Sequence, residues 1–304
     1  MTEALFIETA AKEKLLKEQG KRRLNVSGVL RKLGVSRSGY LSWVNRLPSD
    51  QQKRRIHIKE RILQIYHGSN QNYGAPKITR ILRKEGKTIA ERTVGKYMQD
   101  LGIKAQYIRP YTATTIEPDF GTELKNLLNE EFNPETPDAV WCSDITYIWT
   151  KEGFVYLTSI MDLYSRKIIS WVLSDTLEAK WVVEAVNRAK KCRGRRLPKV
   201  LHSDRGIQYV CRDYKEATKE IQCSYSKKAY PWDNACIESF HALIKREWLN
   251  RFKIQDYHHA YRLVFEYIET FYNTVRIHSH CGYMSPNEFE KSYWKEVKNK
   301  KLSA

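Results

Sequence analysis

The sequence lacks several features that would assign it to particular protein classes. No apolar run approaches the roughly 18 residues that a transmembrane helix needs, and the opening residues mix acids with apolar side chains, unlike a secretory signal. The six cysteines form no CxxC pair, which argues against a structural zinc site or a disulfide framework. No GxxxxGK(S/T) loop is present, so nucleoside triphosphate hydrolysis has no support. We therefore expect a cytosolic protein with reduced thiols and no membrane partner.

Acidic residues are scarce beside basic ones. Lys and Arg number 53 against 35 Asp and Glu, a formal charge of +18. Residues 1–120 hold 24 basic and 11 acidic residues, a net charge of +13. Residues 121–304 hold 29 basic and 24 acidic residues, a net charge of +5. The balance predicts a polyanionic partner, although charge alone does not distinguish DNA, RNA and an anionic membrane.

The N-terminal segment, residues 1–52, has the pattern of a helix-turn-helix. A charged helix is predicted over 12–24. An apolar stripe at helical spacing follows it: Val26, Val29, Leu30 and Leu33. Gly34 ends that helix, and Ser36 can cap the next one by accepting a backbone N–H. Arg37 would lie at the exposed start of this second helix, which in such motifs can enter a DNA major groove.

A second helical pair is predicted in residues 53–103, which we interpret as another helix-turn-helix-like DNA-binding domain. Its connecting helix, 53–66, has an expected inward stripe of Ile56, Ile62, Leu63 and Tyr66. In its last helix Arg92 and Lys96 are expected to face outward and contact DNA. A solvated bundle surface is the plain alternative, but two helical pairs with basic outer faces favour nucleic acid. A linker interrupted by prolines follows at 104–135, with a short helix expected at 124–132.

From Val140 the hydrophobic period changes from helix to strand. Three sequential strands, separated by Gly153 and by a Ser165-Arg166 turn, are predicted to be antiparallel. A helix, a short strand, a helix over 210–221, a fifth strand and a last helix follow. This order predicts a ribonuclease-H-like α/β core at 136–252, with a five-stranded mixed sheet, preceded by all-α helix-turn-helix modules. A helical extension is expected at 253–304, with a helix over 256–273 and a loop whose Arg276 could contact DNA.

Three carboxylates stand out in this order of elements. Asp144 lies within the first strand, Asp204 follows the short fourth strand, and Glu238 lies near the start of the last core helix. Each acid also has an ordinary explanation when it is taken alone. A buried Asp144 needs a cation or a hydrogen-bond donor, Asp204 could cap a turn, and Glu238 could interact favourably with the helix dipole. Together they could hold two divalent metals about 3.5–4 Å apart, an arrangement suited to phosphodiester chemistry. Oxygen ligands select Mg²⁺ or Mn²⁺ over zinc.

Polar residues near these acids have competing interpretations. Two basic residues are candidate contacts for DNA phosphates: Arg205 and Lys245. Lys245 shares a helix face with the third acid and with His241. We interpret His202 as structural and Asp162 as a turn residue outside the metal triad. The pair Asp233-Asn234 is expected to cap the last core helix.

Six sequence stretches together resemble one protein family. They are YGAPKITRILRKEG with ERTVGKYMQDLGI, WCSDITYI, MDLYSRKIISW, HSDRGIQY, WDNACIESFHALIKRE and YNTVRIHSHCGYMSPNEF. A lone HSDRG would be weak, but the ordered set covers nearly the whole chain after residue 23. It resembles bacterial insertion-sequence transposases of the DDE (retroviral-integrase-like) superfamily, specifically the catalytic second-frame product of the large IS-three group.

The resemblance implies that Asp144, Asp204 and Glu238 are the catalytic residues and the ligands of two Mg²⁺ ions, which Mn²⁺ can replace. It implies cleavage and strand transfer of double-stranded DNA at the terminal inverted repeats of a mobile element, followed by integration into target DNA. It further implies a homo-oligomer, at least a dimer, in the bacterial cytoplasm at the nucleoid. Family members often need a first-frame protein or fused segment, so this chain is either the catalytic part or a member that works alone. The alternatives are an integrase-like nuclease on another polynucleotide and a catalytically inactive DNA-binding regulator.

One departure from the family pattern concerns the third acid. Between Asp204 and Glu238 lie 33 residues, slightly fewer than is usual in the family. A shorter turn before the fifth strand would absorb the difference, because the stretch WDNACIES is intact. Glu247, on the opposite side of the helix by its 3.6-residue repeat, and Glu220 are the alternatives for the third ligand.

Overall fold

The computed structural model describes residues 2–20, 24–106, 124–194, 196–227 and 230–302. By packing, the chain divides into two compact units, Met1–Arg61 and Ile62–Ala304. Within the described ranges, no helix combines the length and the apolar character that crossing a membrane requires.

The first unit contains a small helical cluster. Helices α1 (Thr2–Glu18), α2 (Val26–Lys32) and α3 (Arg37–Val44) bury Phe6, Leu30 and Tyr40 together. Ser36 caps α3 by accepting a hydrogen bond from the Gly39 N–H at 3.2 Å, as predicted. The first helix begins at Thr2 rather than at residue 12, because Phe6 packs into this cluster.

The boundary between the units falls within α4 (Asp50–Gly68), and α5 (Ala75–Lys84) and α6 (Glu91–Asp100) belong to the second unit. The buried stripe of α4 consists of Ile58, Ile62, Ile65 and Tyr66. The predicted inward position of Ile56 is therefore wrong, since this side chain is 52% exposed. Arg92 and Lys96 are exposed on α6, as expected.

Part of the predicted linker, residues 107–123, lies outside the described residues. The helix expected at 124–132 is absent: this segment is a loop with a turn at its centre. The backbone N–H groups of Leu127 and Leu128 donate to Ser224 Oγ at 2.8 and 3.1 Å instead of to a helix. Asn129 and Glu130 then adopt positive φ angles of 43° and 64°, which right-handed helical geometry does not allow.

Five strands form one mixed sheet in the order β3-β2-β1-β4-β5. They are β1 (Val140–Thr150), β2 (Gly153–Asp162), β3 (Ile168–Ser174), β4 (Val200–Ser203) and β5 (Gln222–Tyr225). The first three strands are antiparallel, whereas β4 lies parallel to both β1 and β5. This order confirms the predicted ribonuclease-H-like core.

Helices cover both faces of the sheet. On one face α7 (Ala179–Arg193) packs its residues Val182, Ala185, Val186 and Ala189 against a core that includes Trp141 and Ile160. On the other face α10 (Ala235–Glu247) and α11 (Tyr257–Phe265) pack against β1. Because side chains alternate along a strand, Trp141 faces α7 and Asp144 faces α10.

The connections differ from the sequence predictions in two places. The helix expected over 210–221 is two short helices, α8 (Ile207–Val210) and α9 (Arg212–Ala217), separated by an extended Cys211. A 3-10 turn (Pro231–Asn234) leads into α10, where Asn234 makes no side-chain capping bond. Asp233 accepts hydrogen bonds from the Asn126 amide at 2.8 Å and the Lys227 N–H at 2.6 Å, so the predicted helix cap is wrong.

The C-terminal extension continues from α10 through a 3-10 turn at Leu249–Arg251. The helix predicted over 256–273 is present, but it changes from α11 to a π-helix at Glu266–Tyr272. The last helix, α12 (Pro286–Leu302), is tied to the core by Glu290, which pairs with the buried Arg193 at the end of α7.

Candidate active site

Two of the predicted acids lie side by side on neighbouring strands. The parallel pairing of β1 and β4 places Ser143 opposite Ser203. Asp144 follows Ser143 within β1, and Asp204 follows Ser203 directly after β4. Both aspartate side chains are partly accessible. The strand register therefore brings the first two acids side by side, as the sequence order predicted.

The third acid approaches from the first turn of α10. Glu238 is accessible to solvent, and α10 packs against β1 and β2. Partial burial, followed by the negative charge of Asp144, raises the pKa of Glu238 to about 7. Glu238 thus lies within electrostatic range of Asp144.

A histidine on the same helix orients the first acid. His241 Nδ1 lies 3.1 Å from Asp144 Oδ2, and its Nε2 lies 3.2 Å from Ser159 Oγ. Ser159 faces Asp144 directly across the β1–β2 pairing. The buried imidazole therefore contacts both Asp144 of β1 and Ser159 of β2, and it fixes the position of one Asp144 oxygen. Sequence reasoning placed His241 on the helix face of Glu238 but missed this contact, which depends on the packing of α10 onto the sheet.

The second acid is held by its own loop. Asp204 Oδ1 accepts a hydrogen bond from the Gly206 N–H at 2.9 Å. The intervening Arg205 turns toward β5, where its guanidinium donates to the carbonyls of Ser226 at 2.7 Å and Leu124 at 3.3 Å. Arg205 thus braces the loop that carries Asp204, and its contact with DNA stays a prediction.

Comparison with known proteins decides the family. Residues 134–231 and 219–286 match integrase core domains, and residues 52–111 match an HTH-like domain. The transposase of insertion sequence element IS904 from Lactococcus lactis is 36% identical over 253 residues, covering 82% of this chain and 99% of the relative. Transposase InsF of insertion sequence IS3A from Escherichia coli is 34% identical over 277 residues, covering 90% of this chain and 96% of the relative. The chain belongs to the IS3 family of insertion-sequence transposases.

Solved structures similar to this IS3-family transposase include two viral integrase cores. The HTLV-2 integrase catalytic core has a TM-score of 0.40 at 15% identity, over 51% of this chain and 98% of that one. The BIV integrase catalytic core has a TM-score of 0.39 at 17% identity, over 53% and 99%. The fold assignment of the transposase rests on its own strand order and on the integrase-core match. As a member of this family, the chain is a DDE-type polynucleotidyl transferase that acts on DNA.

The lysine predicted to hold phosphate interacts electrostatically with the first acid of the transposase. Lys245 Nζ stands 4.4 Å from the centroid of the Tyr147 ring. Burial lowers the pKa of this ammonium, while the nearby charge of Asp144 opposes the change. Lys245 of α10 therefore lies over β1, within electrostatic range of Asp144. Arg37, in the first unit, and Arg92 and Lys96, on α6, make no contact that tests their predicted role.

The donor chemistry of the transposase fits a hard divalent cation. The three acids offer carboxylate oxygens, and burial, followed by the negative charge of Asp144, raises the pKa of Glu238. In the described part of the chain, however, no three His, Cys, Asp or Glu side chains stand close enough together to enclose a metal ion. The shared metal site of Asp144, Asp204 and Glu238 thus stays a prediction.

The two alternative third ligands have other partners. Glu247 is buried and forms a two-pronged ion pair with Arg276, with both N···O distances at 2.7 Å. Arg276 is itself only 5% exposed, so the structure does not support its suggested contact with DNA. Glu220 lies on the surface and pairs with Lys190 at 3.7 Å.

The residues interpreted as structural are buried in polar networks. His202 lies between Ser224 and Ser226, at 2.9 and 3.2 Å, and burial lowers its pKa to about 4. Asp162 accepts from the N–H groups of Asp138 and Tyr164 and from Arg193. These contacts support the exclusion of both residues from the metal site.

Proposed function

We propose that this transposase uses Asp144, Asp204 and Glu238 to cleave and rejoin phosphodiester bonds at the ends of its mobile element. The observation that carries the proposal is the register of β1 against β4, which sets two of the acids side by side on neighbouring strands. The electrostatic interaction of Glu238 with Asp144 supports Glu238 as the third acid. Neither Glu247 nor Glu220 is available there.

Each residue of the candidate active site would have a distinct role. Asp144, Asp204 and Glu238 would hold two Mg²⁺ ions, which when bound would activate a water or a 3′-hydroxyl as the nucleophile and stabilise the leaving oxygen. His241 keeps one Asp144 oxygen fixed, so that the carboxylate is oriented before DNA arrives. Lys245 would contact a phosphate oxygen close to the bond that breaks, because its ammonium lies beside Asp144.

DNA ends would be bound by the basic helical modules. Arg37 at the start of α3 and the exposed Arg92 and Lys96 on α6 supply positive charge where a phosphate backbone can reach. We propose double-stranded DNA carrying the terminal inverted repeats as the substrate, and a homo-oligomer, at least a dimer, as the unit that holds both ends. Such a protein would act at the bacterial nucleoid, alone or with a first-frame protein.

The experiment uses labelled duplexes made from the inverted repeats that flank the gene. Wild-type protein with Mg²⁺ or Mn²⁺ should cleave and join them, whereas Glu238→Gln should bind them normally and give no product. Glu220→Gln is the matched surface control and should keep activity. Normal binding without cleavage by the wild type would favour a DNA-binding regulator, and equal activity of Glu238→Gln would exclude Glu238 as the third ligand.

A second experiment tests the DNA-binding modules separately. Arg92→Ala and Lys96→Ala should each weaken binding of all duplexes by a similar factor and reduce the salt dependence of binding, as loss of a phosphate contact does. Unchanged affinity and an unchanged salt slope would remove α6 from the DNA interface.

A further inference from the structure

Three aromatic side chains form an exposed cluster on the β1–β2 hairpin, which we call the aromatic face: Tyr147, Trp149 and Phe154. Their exposed fractions are 40%, 64% and 47%. The Phe154 ring lies 5.2 Å from that of Tyr147 and 4.7 Å from that of Trp149, in edge-to-face contact. Large rings that contact one another at the surface mark a binding surface more often than isolated exposed residues do.

The strand geometry explains why these rings share one side of the sheet. Tyr147 and Trp149 are two residues apart on β1, and Trp149 pairs directly with Phe154 of β2. β4 pairs with β1 only from Val140 to Ser143. Beyond that point the hairpin extends past β4, which leaves the rings uncovered.

The aromatic face and the candidate active site are linked by Lys245. Tyr147 lies three residues after Asp144 on the same strand, about 10 Å along it at ~3.3 Å per residue, and the alternation of side chains places its ring on the opposite face of the sheet from Asp144. Lys245 stands over the Tyr147 ring at 4.4 Å while interacting electrostatically with Asp144. A positive charge that suits a phosphate therefore lies between the rings and the acids.

The chemistry of this surface favours nucleobases over a second protein chain. Three half-exposed rings offer a few hundred Å² at most, well below the ~800 Å² per partner of a stable protein interface. Aromatic rings beside a cation are the combination that binds single-stranded nucleic acid, because every base has a π face. In a duplex those faces are already stacked, so the rings can receive only unpaired bases.

We propose that the aromatic face is a stacking platform for unpaired bases of the DNA strand next to the phosphate held at the active site. This inference rests on the proposed function for the position of that phosphate. Trp149 is the most exposed ring and supplies the main stacking surface, while Tyr147 and Lys245 connect it to the acids. The platform would hold a frayed or cleaved end after the neighbouring base pairs open.

The test is a binding measurement in metal-free buffer, so that it does not depend on catalysis. Two probes share one duplex: the first is blunt, and the second carries a short unpaired adenosine tail. Trp149→Ala should weaken binding of the tailed probe by about five- to a hundredfold and leave the blunt duplex unchanged. Trp149→Phe should restore most of the loss, because the ring rather than the indole N–H does the stacking.

The controls separate stacking from other effects. Phe265→Ala removes an aromatic of similar exposure, 46%, on α11 and should change neither probe. A tail of abasic sugars should bind wild type and Trp149→Ala equally. Raising the salt should weaken both proteins alike and preserve the ratio between them, because stacking carries no charge.

Several results would overturn the inference. Equal loss of both probes, or equal loss with bases and abasic sugars, would mean that the rings do not stack on bases. A change of oligomeric state in Trp149→Ala with unaltered DNA affinity would show that a second copy covers the aromatic face. The proposed catalytic function is tested independently, since Glu238→Gln should bind both probes as wild type does while failing to cleave.

Discussion

The buried ion pair at the end of α10 provides the sharpest test of the site assignment. Glu247 and Arg276 are 7% and 5% exposed and are joined by two hydrogen bonds of 2.7 Å. Tyr267 donates a further hydrogen bond to Glu247 Oε2 at 2.8 Å. Glu247→Gln keeps the shape of this side chain and removes its charge, so that the Arg276 guanidinium stays buried with no ionic partner.

The expected cost follows from the burial of both partners. Removing one member of a buried ion pair costs about 3–5 kcal/mol, because the remaining charge is left without compensation. In a unit of this size, each kcal/mol changes the melting temperature by about 2–4 °C, so Tm should fall by roughly 6–20 °C. Catalysis at low temperature should survive, since this carboxylate is occupied by Arg276 and is not offered to a metal.

The pH dependence gives an independent check. Burial alone would raise the pKa of Glu247, but the hydrogen bonds and charge of Arg276 outweigh it and hold the pKa below its ordinary value. A carboxyl whose folded pKa is depressed stabilises the fold above its unfolded pKa, and this stabilisation is lost as the pH falls through the folded value. The difference in stability between wild type and Glu247→Gln should therefore be constant near neutral pH and shrink below about pH 4.

Thermal and urea denaturation of the two proteins would be compared with strand transfer at low temperature. The double variant Glu247→Leu with Arg276→Met removes both charges and should recover much of the lost stability. A Glu247→Gln protein that melts like the wild type but joins no DNA would refute the reasoning. That result would make Glu247 the third ligand and Glu238 the surface acid.

Three further predictions concern buried polar groups elsewhere in the same unit. Burial lowers the pKa of His202 to about 4, so between pH 6.5 and about 4 the unfolded chain binds a proton at this histidine that the folded protein does not. The free energy of unfolding of the wild type, measured with urea, should therefore fall as the pH falls through this range, and it should depend less steeply on pH in His202→Gln. An equal pH dependence in the two proteins would contradict this. Asn273→Ala should cost about 2–5 kcal/mol in urea denaturation, because its amide bonds the N–H and carbonyl of Ile168 at 3.0 and 2.9 Å; a loss near zero would show that water replaces it. Lys77→Met should raise Tm near neutral pH, because burial, followed by the charge of Arg276, lowers the pKa of Lys77 to about 8. This gain in Tm should fade as the pH rises from 8 toward 10.5, where the folded protein no longer carries the buried charge. A gain that persists at that pH would have another cause.

The strand order and the first two acids could be predicted because their signals are local. The alternation along 140–150, the turn residues and the short strand before Asp204 fix each element from neighbouring residues alone. Once three antiparallel strands precede a helix and a short strand, the parallel pairing of β1 and β4 follows from the fold order. The adjacency of Asp144 and Asp204 then needs no further information.

The failures share a different origin, which is tertiary contact. The segment 124–132 has a helical apolar pattern, but Ser224 of β5 takes its N–H groups and prevents the helix. Periodicity wrongly predicts an inward Ile56 in α4, because it does not show which of two nearby isoleucines, Ile56 or Ile58, meets the core. The change to a π-helix at Glu266–Tyr272 likewise has no signal in the hydrophobic pattern, since both helix types can bury these aromatics.

Helix α10 shows why residue type and helix position alone could not decide the third acid. Glu238 and Glu247 lie on one helix, and sequence periodicity could only place them on opposite sides. In the fold, burial and a neighbouring carboxylate raise the pKa of Glu238, whereas Arg276 lowers that of Glu247. A carboxylate crowded by like charge gains from a bound cation, and one already neutralised by a guanidinium does not. The opposite pKa shifts therefore support the proposal of Glu238 over Glu247 as the third ligand, and the partner that causes the second shift lies 29 residues further along the chain.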